Sequence, residues 1–366
     1  MTEAEVFEGL AGVLVARTAV SLVDGEAGRL SVRGHAIESL VSALPFEAMV
    51  GLLLDGALPD ATRRAALQAE LGAGRCRAYE RLRPGLPAVM ATDAMATLRS
   101  ALSLLPGEAT ACELLGMAAV ASAAWVRQQR GGQLPAPEPG LPHAQDLLRL
   151  LGGAESSTAG ARLLDAYLVT VTEHGFNAST FAARVTASTG ADLVAAVVAG
   201  VAALSGPLHG GAPGPVLDML DAVGSPENAG PFVRAELAAG RRIMGMGHRV
   251  YRVRDPRAFV LERALRAYQA SVGAEAGGRL ALARAVEAAA EAELARKYPE
   301  RRLRANVEFY TALVLDVLDI PRGAFTAIFA TSRVAGYAAH VAEQRASGRL
   351  IRPSALYVGP AVEPQK

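Results

Sequence analysis

Lysine is almost missing from this chain: it occurs only at Lys297 and Lys366, and the remaining basic residues are arginines. Basic residues number 37 and acidic ones 36, for a net charge of +1. No global field therefore draws the protein to nucleic acid or to an anionic membrane, and neither partner is expected. Cysteine is nearly missing too. Cys76 and Cys112 cannot frame a chain of 366 residues, and neither sits in a CxxC or Cys/His spacing. A reducing compartment and no metal site follow as expectations. Long apolar runs are also lacking. The longest uncharged helical run, residues 193–206 (LVAAVVAGVAALSG), is too short to span a bilayer and reads as a buried core helix. The first ten residues (MTEAEVFEGL) have neither the charged and apolar regions of a secretory signal nor the arginines of a transit peptide, so a cytoplasmic location is expected. No Walker A motif occurs. Gly245-Met-Gly247 is not a dinucleotide fingerprint, because Val250 stands where the third glycine would fall.

What is present is helix-forming. Hydrophobic residues make up 51% of the chain, enough for one large domain or two. Alanine and leucine dominate, and alternating β-branched runs are scarce. Leu282, Val286, Ala290, Leu294 and Tyr298 recur every four residues, with Arg284, Glu287, Glu291 and Arg296 on the other side, and Pro299 helps end this helix. Residues 12–33 differ: apolar and polar residues alternate around Asp24-Gly25, a turn signal that predicts a small β-hairpin. The stretch 131–142 (GGQLPAPEPGLP) predicts an exposed loop between helices.

Three of six histidines stand in unusual company. His174 lies in EHGFNAS, His209 in GPLHGG, and His248 in GMGHRVYRVRDPR. Flanking glycines remove bulk and let a ligand or a second backbone approach closely. His35, His143 and His340 carry no such signal. Arg249, Arg252, Arg254 and Arg257 follow His248 within nine residues. That cluster is either a solvated face or an anion site, and its place beside a Gly-His loop favours an anion site for carboxylates or phosphates.

The segments GPLHGGAP, GMGHRVYRVRDPRA, EHGFNASTFAARV, NVEFYTALVLDVLDIP and RLIRPSALYVGP resemble the signature segments of the citrate synthase family, and residues 9–40 resemble its N-terminal segment. The resemblance covers nearly the whole chain and is weakest across about 60–150. The compact size and NVEF wording are similar to the smaller dimeric bacterial branch, citrate synthase 2-like enzymes included.

The resemblance implies an all-α fold with a large domain (1–211 and 317–366), a small domain (212–316) and an active site in the cleft between them. It implies condensation of acetyl-CoA with oxaloacetate and water to give citrate and CoA. Glu308 would be the base, His209 the enol-stabilising donor and His248 the group that polarises the ketone. His174, Arg257, Arg333 and Arg352 would hold the carboxylates of oxaloacetate, with Arg352 supplied by the second subunit of a homodimer. Asn177 and Ser179 would line the site, and Arg252 would meet a CoA phosphate. No cofactor is expected to be held permanently; acetyl-CoA is a co-substrate. Gly210, Gly211 and the 245–247 loop would absorb domain closure. The family's usual base is Asp, so Glu308 is a departure at the position that matters most: its extra methylene adds about 1.3 Å, on a scale where about 1 Å costs roughly a hundredfold in rate. Two rival readings stand beside this one: a 2-methylcitrate synthase using propionyl-CoA, and a non-catalytic paralogue that binds oxaloacetate or CoA.

Overall fold

A computed structural model describes residues 6–10, 12–153, 157–209, 213–248, 250–273 and 278–360. Gly210, Gly211 and Arg249, named above, lie outside the described residues. Three short strands come first: β1 (Ser21–Asp24), β2 (Arg29–Val32) and β3 (His35–Ala36). Sixteen α-helices follow among the described residues: α1 (Ile37–Ala43), α2 (Phe46–Asp55), α3 (Ala61–Leu82), α4 (Leu86–Val89), α5 (Ala94–Leu102), α6 (Ala111–Gln129), α7 (His143–Leu151) and α8 (Thr158–Val171), then α9 (Ala178–Ser188), α10 (Leu193–Leu204), α11 (Pro213–Val223), α12 (Ala229–Ala238), α13 (Pro256–Val272), α14 (Arg279–Lys297), α15 (Val307–Val317) and α16 (Phe325–Ser347). The expected all-α architecture with an N-terminal hairpin is present.

The hairpin is wider at its turn than Asp24-Gly25 alone suggests. Asp24 pairs with Arg29, so residues 25–28 form the connection. Asp24 Oδ1 accepts the Ala27 N–H at 2.9 Å and closes it. β3 pairs with β2, a third strand that alternation did not announce because it is only two residues long. The Pro-rich stretch is irregular, as expected.

Helix starts are set by local chemistry. Thr110 and Glu113 form a reciprocal capping box at α6, and Asp60, Asp93, Ser157, Asn177, Asp192, Asp255 and Asn306 each accept a backbone N–H at their helix's first turn. The centre of the molecule is built on α6 and α16, whose residues are buried on nearly every side. α16 packs on α6, α9, α10 and α8, and α6 on α3 and α5. α10 buries one face only. Val194, Ala196, Val197, Gly200, Val201 and Leu204 face the core, while Ala195 and Ala202 are exposed. The helix packs into the core as expected, with Leu193 and Val198 partly buried against it and only the two alanines open to solvent.

The α3–α6 crossing is too close for side chains. A Cβ on Gly116 would lie 2.4 Å from the Gly74 carbonyl carbon, and one on Gly74 would lie 2.5 Å from the Cys112 carbonyl oxygen. Nearby, Arg75 and Asp146 are both fully buried and paired at 2.7 Å, with the His143 ring at 3.0 Å from the guanidinium. Alanine ordinarily favours a helix interior over glycine by about 1 kcal/mol. Here Gly116→Ala is expected to lower stability by about 1–3 kcal/mol, since the backbones must part. Urea unfolding checks this, and a stabilised variant would refute the close crossing.

Candidate active site

α8 ends at Val171, and the chain turns through Thr172, Glu173 and His174 before Asn177 caps α9. Gly175 takes a φ of 63°, which the turn requires. Glu173 is buried beneath it. Its Oε1 accepts from Ser21 Oγ at 2.8 Å, from the Gly175 N–H at 2.6 Å and from His340 Nε2 at 3.0 Å. Burial works against its charge, and His340, Arg333 and Ser21 more than offset this, so its pKa lies below the usual value. Arg184 donates to His340 Nδ1 at 3.2 Å, which puts the proton of a neutral His340 on Nε2, facing Glu173. His174 itself is 9% exposed. Burial, then Arg257 and Arg333, hold it well below its ordinary pKa, so it is neutral.

His209 follows α10, its N–H bonded to the Gly206 carbonyl at 2.9 Å. The Ser179 N–H donates to His209 Nε2 at 3.3 Å. A backbone N–H cannot turn round, so Nε2 accepts and the one proton of the neutral ring sits on Nδ1. Ser179 Oγ accepts from Tyr337 at 2.8 Å and has a single proton for two acceptors, Nε2 at 2.8 Å and Asn177 Oδ1 at 2.7 Å. His209 has a lowered pKa through burial and Arg333.

His248 shows the opposite tautomer. The N–H groups of Val250 and Tyr251 both donate to its Nδ1, at 3.0 and 3.1 Å. Its proton therefore sits on Nε2. Burial and then Arg257 bring its pKa down to about 4, so the ring is a neutral donor near pH 7. His248 lies edge-on to His174, ring centroids 5.4 Å apart, and Tyr251 bonds His174 Nε2 at 3.1 Å.

Asp255 caps α13 and grips Arg257 by two bonds, Nε at 3.1 Å and Nη2 at 2.7 Å. The same carboxylate accepts the Val307 N–H at 3.2 Å at the start of α15. One acid thus fixes Arg257 and the helix turn that carries Glu308. Arg333, on α16, donates Nε to the Val171 carbonyl at 2.5 Å and lies over the Phe329 ring at 4.7 Å. It has no carboxylate at ion-pair distance among the described residues, and burial lowers its pKa. Glu308 keeps some exposed surface, yet the protein around it is dense enough for burial to raise its pKa to about 7, against the pull of Arg257 and Arg333.

His174, His209, His248, Arg257, Glu308 and Arg333 thus form one electrostatic cluster, with Asn177 and Ser179 holding His209 in place. Arg352 is exposed and bonds none of them. Arg252 lies on the surface, 3.9 Å from Glu26. Arg254 is absorbed by Glu262 and Glu287, so the arginine run divides between ion pairs, surface and site. Sequence reasoning passed over Glu173, Tyr251, Asp255, Tyr337 and His340. The i, i+4, i+7 spacing of Arg333, Tyr337 and His340 puts all three on one face of α16 and was the available signal. No group of three or more His, Cys, Asp or Glu side chains among the described residues is arranged to hold a metal ion.

The two opposite tautomers are directly measurable. In ¹⁵N-labelled protein at pH 7, His209 should show a protonated Nδ1 and His248 a protonated Nε2. The reverse pattern at either ring would overturn these donor directions.

The family described as citrate synthase, C-terminal domain, matches residues 9–354. A putative citrate synthase 2 of Mycobacterium tuberculosis is 40% identical over 96% of this chain and 92% of its own. A 2-methylcitrate synthase of the same species is 34% identical over 97% and 91%. The crystal structure of citrate synthase from Thermotoga maritima superposes with a TM-score of 0.86 at 32% identity, covering 98% of both chains. That of Thermoplasma acidophilum citrate synthase, in ternary complex with carboxymethyl coenzyme A and oxaloacetate, gives 0.85 at 26% identity, covering 99% and 98%. Over its whole length, then, in sequence and in fold, the chain belongs to the citrate synthase family.

Proposed function

We propose that this protein condenses acetyl-CoA with oxaloacetate and water, giving citrate and CoA. The observation that carries this is the pairing of two neutral, oppositely protonated imidazoles with one carboxyl group whose pKa is about 7. Glu308 takes a proton from the carbon beside the thioester. His209 Nδ1–H donates to the thioester oxygen and stabilises the enol. His248 Nε2–H donates to the ketone of oxaloacetate, so the nucleophilic carbon attacks a polarised carbonyl. A new C–C bond forms, and water then cleaves the thioester to release CoA. No step needs a resident cofactor.

Oxaloacetate carries two carboxylates. Arg333, buried without an anionic partner, suits one, and Arg257, with His174 beside it, suits the other. The first turns of α13 and α15 add partial positive charge. The cleft divides residues 212–316 from the two flanking parts, and closure across it excludes water from the intermediate. Arg252 stands on the surface, as a phosphate contact for CoA requires.

We infer a homodimer. The exposed side chains of Leu14, Leu356, Tyr357 and Val358 support burial against a second copy, with Arg352 reaching the neighbour's site. No helix among the described residues is long and apolar enough to cross a membrane, in keeping with a cytoplasmic enzyme. A 2-methylcitrate synthase activity uses the same polar groups. It differs by one methyl in an apolar pocket, worth about 1–3 kcal/mol, so kcat/KM for acetyl-CoA against propionyl-CoA separates the two.

Thiol release from acetyl-CoA plus oxaloacetate is the direct test, and a pure protein that releases none makes the non-catalytic reading correct. Activity should rise through about pH 7 as Glu308 loses its proton. Glu308→Gln should lower kcat by about 10²–10⁴-fold with oxaloacetate binding kept. Near-normal turnover in that variant, or a flat profile from pH 6 to 8, removes Glu308 from the base role. Mixing inactive Arg352→Ala with inactive His209→Ala should restore part of the activity through hybrid dimers. No recovery rules out a site shared between subunits.

A further inference from the structure

The N-terminal hairpin reaches both of the loops that carry the substrate-facing histidines. Its root is fastened to the body of the protein: the Ala19 N–H donates to Glu343 Oε1 at 2.7 Å and Arg33 donates to the Leu53 carbonyl at 3.0 Å. Midway, Ser21 Oγ donates to Glu173 at 2.8 Å and accepts the Gly175 N–H at 3.1 Å. Those two residues flank His174. At the tip, the Arg252 N–H donates to the Gly25 carbonyl at 2.9 Å. A Cβ on Gly25 would lie 2.3 Å from the Val250 carbonyl oxygen, so the contact there is backbone on backbone. Gly28 is as close to the Val253 side chain. Val250 and Tyr251 are the residues whose N–H groups hold His248 Nδ1. From Ser21 to Asp24 the strand rises about 10 Å, at roughly 3.3 Å per residue.

We propose that this hairpin is a positioning element of the active site: Ser21 and Gly25 set the spacing between the turn carrying His174 and the loop carrying His248, and so fix both imidazoles against one substrate. The inference rests on reading those histidines as ligands of oxaloacetate. Its physical content is separate. The hairpin is pinned at its root, so any displacement at its tip must be taken up by the 250–253 backbone. That backbone has no slack, because two of its N–H groups are committed to His248. Tyr251, bonded to His174, makes a second and direct tie between the same two loops.

Gly25 and Ser21 probe the two ends. Gly25→Ala must push residue 250 away. Its KM for oxaloacetate should rise, and its kcat fall, by about tenfold to a hundredfold, on the scale of an ångström's misplacement. The melting temperature should stay near the wild-type value. Ser21→Ala deletes one hydroxyl without adding bulk and should raise KM for oxaloacetate several-fold, and Ser21→Thr should restore it. Arg29→Ala, which breaks only the exposed pair with Asp24 on the same hairpin, serves as the unaffected control. The ¹⁵N shift of His248 Nδ1 should move in Gly25→Ala with no substrate present. If the wild type turns over while both Gly25→Ala and Ser21→Ala keep its constants and its His248 shift, the hairpin has no positioning role and the reaction assignment stands. A wild type that neither turns over nor binds oxaloacetate overturns the reaction assignment and this role together. Should Gly25→Ala fail to fold, the Ser21→Ala and Ser21→Thr pair decides: a loss without rescue rejects the proposal, and a loss with rescue upholds it.

Discussion

A single buried carboxylate holds three remote parts of the chain together. Glu173 takes hydrogen bonds from the hairpin through Ser21, from its own turn through Gly175 and from α16 through His340. An ionised carboxyl in this position is tolerated only because every donor is in place; removing one leaves a buried charge incompletely compensated. The geometry of the site follows from that demand. α16 is held at one height by His340 and by the Arg333 bond to the Val171 carbonyl, and the turn between α8 and α9 is drawn down onto it. His174 and Asn177 inherit their positions from there, and Asn177 passes position on to Ser179 and His209.

The charges of the site follow a second rule. Burial, and then the neighbouring arginines, keep the imidazoles neutral, and neutral imidazoles can donate only through the nitrogen that the backbone leaves free. Asp255 compensates Arg257 and anchors the first turn of α15, while Arg333 stays without an anionic partner. The free site therefore keeps excess positive charge in a region of low dielectric, which a dicarboxylate would neutralise. Burial raises Glu308 to about 7, where a carboxyl group is more basic than usual and still about half ionised near neutral pH.

Much of this was legible in the sequence, for identifiable reasons. Alanine-leucine periodicity announced the helices, as at Leu282, Val286, Ala290 and Leu294 on α14, because helix burial repeats along the chain. The Asp24-Gly25 turn announced the hairpin. The glycine-framed motifs around His209 and His248 drew attention to residues that meet in space. What stayed hidden depends on contacts between distant residues. His340 looked ordinary because its partners are 156 and 167 positions away. Asp255 read as part of an arginine-rich run, and its double duty depends on Val307 arriving from across the fold.

The scarcity of lysine has a chemical consequence for a protein that holds a thioester. Thioesters acylate primary amines spontaneously, and a catalyst that concentrates one beside a lysine would modify itself. Among the described residues the only lysine is Lys297, whose ammonium is bonded to the Leu237 carbonyl and rests against the Tyr298 ring at the end of α14. The cations of the site are guanidiniums, which remain protonated at any physiological pH and offer no lone pair for attack. A site that grips its carboxylates with guanidiniums keeps full electrostatic hold on those anions and, among the described residues, presents no amine to which an acyl group could be lost.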